Sequence, residues 1–417
     1  MNILLKSAKI VCPENKELHL KTRDILIKKG IIEKIGAKIE SPSNTKVVDL
    51  ENLHVSLGWF DSGVSFGEPG FEERETIANG LFAAGKSGFT DIVLNPNTQP
   101  VPDTSSNVVF LKERGLGKPT NIHPLGTLTK NAEGIDLAEL FDMKNAGAVA
   151  YYDFKKQISN ANLLKIALLY AQNFGGLVFS FPQDGSIKGN GVAHEGEVST
   201  ILGLKGIPAL AEELQIARDL FILEYTGGKL HIPTISTAGS VKLIANAKKK
   251  GLDVSCSVAI HNLFFTDETL KGFDTHFKVS PPLRTKSDNK ALIKGLKEGT
   301  IDFVTTDHIP MDVEHKRVEF DNAKNGSLGL ESAFGSLNTL FELDETISFL
   351  TQGRTRFGVK PPKLEEGAEA NLTLFNPEGS NTFMDKDILS TSKNSMYLDA
   401  ELKGKVYGII NNDQIVL

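Results

Sequence analysis

The amino-acid sequence predicts an α/β fold: a closed (β/α)8 TIM barrel over residues 53–355, with a small β domain formed by both chain ends, residues 1–52 and 356–417. Three observations carry this expectation. Short β-rich runs alternate with segments of helical periodicity through the middle of the chain. Eight such strand and helix units fit a closed barrel better than an open sheet. The two ends instead carry short alternating strands with turn residues between them, and the simplest arrangement joins them into one domain.

The elements follow in order. MNILLKSAKIVCPENKELHLKTRDILIKKGIIEKIG supplies the first alternating strands. The barrel opens on HVSLGWFDSGV and continues through TDIVLNPN, NIHPLGTLT, GAVAYYDF, GLVFSF, KLHIPTIS, LDVSCSVAI and IDFVTTDHI. Helical periodicity marks EERETIANGLFAAGKSG, ANLLKIALLYAQNFGG, AGSVKLIANAKKKG and DNKALIKGLKEG. The lysines of AKKKG, Ala247 to Gly251, suit the cationic last turn of a helix. AEANLTLFNPEG and GKVYGIINNDQIVL return to alternating strands.

Composition narrows the class. A length of 417 residues is enough to bury a sizeable core, and 40% hydrophobic with 24% charged residues is the balance of an ordinary globular protein. A formal net charge of −6 and the lack of a basic cluster leave no electrostatic footprint for nucleic acid or an anionic membrane. Cys12 and Cys256 lie far apart and in no ligand spacing, which implies a reducing compartment and no disulfide framework. The N-terminus is too interrupted by lysine for a secretory signal, and no apolar run approaches membrane-spanning length, so a cytoplasmic location is expected.

In such a barrel the chemistry sits at the C-terminal strand ends. Those positions hold Gly63 and Ser65, Asn97, Asp153, Phe181, Thr234, His261, and Asp307 with His308. Zinc needs imidazoles and carboxylates converging in fixed geometry, and only Asp153, His261, Asp307 and His308 qualify by type. Each also has a plainer reading. Asp307 and His308 either cap the loop after the last strand or keep a residual chemical role. Asp153, beside Lys155 and Lys156, reads as a salt-bridged loop residue. His231 reads as a hydrogen-bonded core histidine, and His194 with Glu195 as scaffold. His261, just past the seventh strand, is the best isolated candidate for a polar ligand contact.

The segments EPGFEERETIANG, NPNTQP, AGAVAYYD, HEGEVSTILGLKGIPALAEELQIARDL, GGKLHIPTISTAGSVKLI, FKVSPPLRTKSDNKALIKGLKEGTIDFVTTDHIP and GSLGLESAF resemble dihydroorotase of the amidohydrolase superfamily. The resemblance runs in order over nearly the whole chain and is greatest to the homologues that lack zinc ligands. It implies a (β/α)8 barrel and, in active members, one or two zinc ions that open or close a cyclic amide in pyrimidine biosynthesis.

Carried over residue by residue, the resemblance places the paired histidines of the first strand on Gly63 and Ser65, and the arginine that grips the substrate carboxylate on Gly67. The histidine after the fifth strand falls on Phe181 and that of the sixth on Thr234. Asp153 stands at a metal-facing acid, and Asp307 at the final-strand ligand and general base. Asn97 matches the substrate-binding asparagine, while Ser280 and Met311 replace the asparagine before PPLR and the histidine of the DHAPH-like motif. No metal or other cofactor is therefore expected.

The loss is large in energy. Coordination lowers the pKa of water from about 15.7 to about 7, so losing the metal forfeits roughly 12 kcal/mol of nucleophile activation. A lone base such as Asp307 supplies only about 10² to 10⁴ in rate. The expectation is a catalytically inactive, homodimeric dihydroorotase homologue that assembles with aspartate carbamoyltransferase. The alternative is an active dihydroorotase or other cyclic-amide hydrolase with an atypical metal site.

Overall fold

A computed structural model describes residues 2–417. Trp59–Val64, Phe89–Leu94 and Asn121–Pro124 pair in that order as parallel strands. Leu177–Phe179, Lys229–Ile232, Val254–Ala259 and Phe303–Thr305 form a second parallel set. Tyr151 joins the two sets through single parallel bridges to Gly126 and Val178, and a bridge from Val64 to His308 closes the ring. GAVAYYDF thus contributes a barrel position without a ladder of its own.

The strands read as near-continuous apolar runs because helices cover their outer faces. Phe89–Leu94 is buried at every residue. Inside the barrel Phe60, Phe179 and Phe303 surround Phe357, with ring centroids 5.5, 6.0 and 5.8 Å away. The interior is therefore a packed core and not a pore. His231 lies in it, stacked on Phe303 at 5.2 Å and bonded to Ser255 Oγ at 2.8 Å and Ser257 Oγ at 3.2 Å.

The chain ends meet in one eight-stranded sheet. Asn2–Ile10 pairs antiparallel with Thr22–Lys28, and Leu372–Thr382 pairs antiparallel with Glu401–Asn411. His54–Leu57 links the halves by pairing with both Asn2–Ile10 and Leu372–Thr382. HVSLGWFDSGV is consequently two strands, split at Gly58, where the chain leaves the sheet for the barrel. A Cβ on Gly58 would lie 2.0 Å from Asn371 Oδ1 and 2.2 Å from Thr90 Oγ1, so only glycine lets the backbone pass. Among the described residues no helix is long and apolar enough to cross a membrane.

A buried ion pair ties barrel to sheet beside this crossing. Arg354 Nη2 donates to Gly58 O at 2.7 Å and to Asp91 Oδ2 at 3.0 Å. Asp91 also meets His123 Nε2 and Asn121 Nδ2, each at 3.0 Å. Burial alone would raise the Asp91 carboxyl, but the His123 bond and the Arg354 charge outweigh it and hold it well below the usual carboxylate range. A depressed carboxyl stabilises the fold fully above its unfolded pKa, about 3.9, and that stability is lost as pH falls toward the folded value. Asp91→Asn, which leaves Arg354 buried without its counter-ion, is expected to cost about 3–5 kcal/mol in urea denaturation at pH 7. Its stability should also fall less steeply than that of the parent between pH 5 and pH 3; parallel curves would refute the assignment.

Candidate functional site

The first and last barrel strands meet at two buried carboxylates. Asp61 accepts from Gly63 N at 3.0 Å, Thr305 Oγ1 at 2.7 Å, Thr306 N at 3.2 Å and the Thr306 hydroxyl. Asp307, two residues beyond Thr305, accepts instead from Lys155 Nζ at 2.7 Å. The Lys155 ammonium also donates to Ser280 O at 2.5 Å, so it is held between two loops. Burial raises the Asp307 carboxyl and the Lys155 charge opposes that shift.

Around this pair stand the other residues singled out by the sequence. His261 is buried, with Nε2 3.9 Å from Asp307 Oδ2 and no hydrogen-bond partner. Burial, then the Lys155 charge, push its imidazole down to about 3, so it is neutral at physiological pH. Thr234 is buried, with φ at +49° and its hydroxyl unpartnered. Gly63 faces Thr305, whose Oγ1 would lie 3.1 Å from an added Cβ. Ser65 Oγ accepts from Asn95 Nδ2 at 3.2 Å. Phe181 is buried in the same apolar cluster as Tyr152 and Phe179. Gly63, Asn95, Lys155, His231, Thr234 and Asp307 help to bound a cavity of about 20 Å³, room for roughly one water molecule.

Three other candidates lie off this centre. Asn97 is partly buried, with its Oδ1 unpartnered. Met311 N donates to Asn394 Oδ1 at 2.9 Å, which ties this loop to the segment near the C-terminus. Gly67 sits where the chain folds back on itself: Phe71 N donates to Gly67 O at 2.9 Å, and an added Cβ would lie 1.7 Å from Phe71 O.

Two readings of the sequence are corrected. Asp153 is not a salt-bridged loop residue: its carboxylate accepts from Leu128 N at 2.9 Å, Thr129 N at 3.0 Å and the Thr129 hydroxyl. Its lysine neighbours turn elsewhere, Lys155 to Asp307 and Lys156 to Ala132 O. Capping after the last strand falls to His308 alone, whose Nδ1 accepts from Gly329 N at 3.2 Å and Leu330 N at 3.3 Å, while Asp307 is taken by Lys155. His194 does sit in scaffold, accepting from the buried Arg284 at 3.0 Å through Nδ1. Lys155 is the site residue that sequence reasoning missed. The available signal was charge balance, because a buried Asp307 without a metal needs another cation.

Barrel, sheet and site position together define an amidohydrolase-type scaffold. L-hydantoinase from Arthrobacter aurescens superposes with a TM-score of 0.85 at 21% identity, covering 100% of this chain and 96% of that one. D-hydantoinase from a Thermus species gives 0.83 at 20%, covering 99% and 94%. Residues 54–240 match the dihydro-orotase-like family model. Over its full length the chain is 40% identical to dihydroorotase of Pelotomaculum thermopropionicum, covering 99% of that protein. It is 39% identical to dihydroorotase of Caldicellulosiruptor saccharolyticus, covering 99% of this chain and 98% of that one. The chain belongs to the dihydroorotase-like family.

At the positions where the resemblance places zinc ligands, the residues present do not fit that ion. Gly63 and Phe181 offer no donor atom, Ser65 and Thr234 offer only hydroxyls, and an ammonium occupies the Asp307 carboxylate. Among the described residues no three His, Cys, Asp or Glu side chains are placed to hold a metal ion.

The glycines differ in what they tolerate. Gly67→Ala drives a methyl into a backbone carbonyl and is expected to cost at least about 3 kcal/mol, whereas the nearest atom to a methyl in Gly63→Ala is Thr305 Oγ1 at 3.1 Å, which needs to give only slightly, and the cost should be under about 1.5 kcal/mol. Urea denaturation of both variants checks this; equal costs would show that the turn at Gly67 yields.

Proposed function

We propose that this chain is a dihydroorotase homologue of pyrimidine biosynthesis that performs no dihydroorotase turnover and serves as a structural partner of aspartate carbamoyltransferase in the cytoplasm. The observation that carries the reading is the size and lining of the barrel mouth. A cavity of about 20 Å³ is far below the roughly 300 Å³ at which small-molecule sites begin. Its one buried carboxylate already has a cationic partner. Substrate grip and water activation therefore fail for separate reasons, Gly67 for the first and the lost imidazoles for the second.

An outward apolar stripe supports a role in assembly. Helix Ala209–Thr226 exposes Leu210, Leu214, Phe221 and Tyr225, with Phe221 71% and Tyr225 81% exposed. These lie at helical spacing on one face. Leu210 with Tyr225, and Leu214 with Phe221, are placed symmetrically about the helix midpoint. That suits a twofold contact between copies of the chain, where the same patch meets itself. Exposed patches of this kind mark interaction sites.

Protein purified without added zinc is expected to hold far less than one metal per chain by elemental analysis, and to show no dihydroorotase turnover in either direction with zinc supplied. Stoichiometric zinc, or robust turnover abolished by Asp307→Ala, would replace this reading with an active cyclic-amide hydrolase. Co-expression with aspartate carbamoyltransferase of the same organism, followed by size-exclusion chromatography with light scattering, should give one co-eluting species. Separate elution at micromolar concentration and low salt would remove the assembly role.

A further inference from the structure

The centre of the barrel mouth holds a lysine where the family resemblance places a metal, and we infer that Lys155 is a tethered cation that has taken over the charge of this site. The inference deepens the reading above. It further specifies that the site, stripped of its lysine side chain, binds a small alkylammonium ion.

The electrostatics come first. Asp307 is 4% exposed and lies close to the equally buried Asp61, so its negative charge must be paired locally. Asp61 is served by hydroxyl and backbone donors from the last strand, and Lys155 is the cation bonded to Asp307. The ammonium is itself enclosed, with its side chain only 12% exposed. Of its three donors, one goes to Asp307 Oδ2 and one to Ser280 O, which leaves one for the water-sized cavity that Lys155 borders.

The backbone gives a second, independent sign. Lys155, Thr234 and Asp307 border the same cavity, and all three have φ near +50°, at +52°, +49° and +48°. Lysine and β-branched threonine seldom take this left-handed conformation, which persists only where the surroundings impose it. A lysine in that conformation, with its side chain laid inward along Phe154, is held there by what its ammonium reaches. The oxygen acceptors left on offer are the Asp307 carboxylate, the Ser280 carbonyl and the unpartnered Thr234 hydroxyl, with the unpartnered His261 Nε2 3.9 Å from that carboxylate. Mostly oxygen with one charge and a single neighbouring imidazole suits a monovalent ammonium, whereas zinc favours several imidazole or thiolate ligands.

The full-length Lys155→Ala protein tests this by thermal unfolding with n-propylammonium chloride, whose three-carbon chain replaces the missing stem beyond Cβ, against equal sodium chloride. The variant is expected to melt several degrees below the parent and to regain at least about 2 °C with saturable dependence on n-propylammonium. The parent and Lys155→Ala/Asp307→Asn should show no such gain. If Lys155→Ala alone fails to fold, Lys155→Met/Asp307→Asn should still be more stable than Lys155→Met, because the stranded carboxylate has gone with its partner. A variant as stable as the parent, an equal gain in all proteins, or a double variant no better than Lys155→Met overturns the inference. Turnover measured on the parent reports on the proposed function separately, so absent rescue with absent turnover refutes only the tethered cation.

Discussion

A charge buried in a barrel must be met by something, and the closure of this one depends on how Asp61 and Asp307 are met. Asp61 is satisfied across the seam, by Thr305 at the end of the closing strand and Thr306 just after it, so the carboxylate works as a clasp between the first and last strands. Asp307 is satisfied from a different direction, by a lysine that arrives from the loop after the Tyr151 position. The two solutions join three parts of the ring at one point. The apolar interior beneath, centred on Phe357, needs no such help and packs as an ordinary core.

The opposite end of the barrel follows the same rule with other residues. Arg354 neutralises Asp91 and donates to two carbonyls at the crossing, Gly58 O and Trp59 O. There the ion pair holds the terminal sheet against the barrel, and His123, Asn121 and Asn371 complete the hydrogen bonding of the carboxylate. Each end of the barrel thus carries a buried ion pair, the lower one structural and the upper one standing where chemistry is expected.

The architecture was legible in the sequence because its signals are local. Apolar runs such as FTDIVL and helical periodicity such as that of DNKALIKGLKEG report burial directly. The failures came where a residue's role depends on a distant partner. Lys155 and Asp307 are 152 positions apart, and nothing in DFKK says that its first lysine turns inward. Asp153 was read with its neighbours in sequence, yet its hydrogen bonds come from Leu128 and Thr129. The split of HVSLGWFDSGV at Gly58 was likewise invisible, because both halves are apolar and only pairing with Leu372–Thr382 separates them. The positions that the resemblance assigns to ligands could be inspected one by one, since the presence of an imidazole is a matter of residue type. What had come to fill their place could not.

The fold-back at Gly67 bears on how such a site changes over time. With Phe71 O where a Cβ would stand, no side chain fits at this position unless the whole turn from Gly67 to Glu75 is rebuilt. Imidazoles introduced singly at Gly63, Ser65, Phe181 or Thr234 would each be enclosed without a metal to share, at a cost in stability. Each such substitution taken alone therefore runs uphill in folding free energy. The present arrangement is held by its own packing, and the backbone acts as a ratchet against single substitutions.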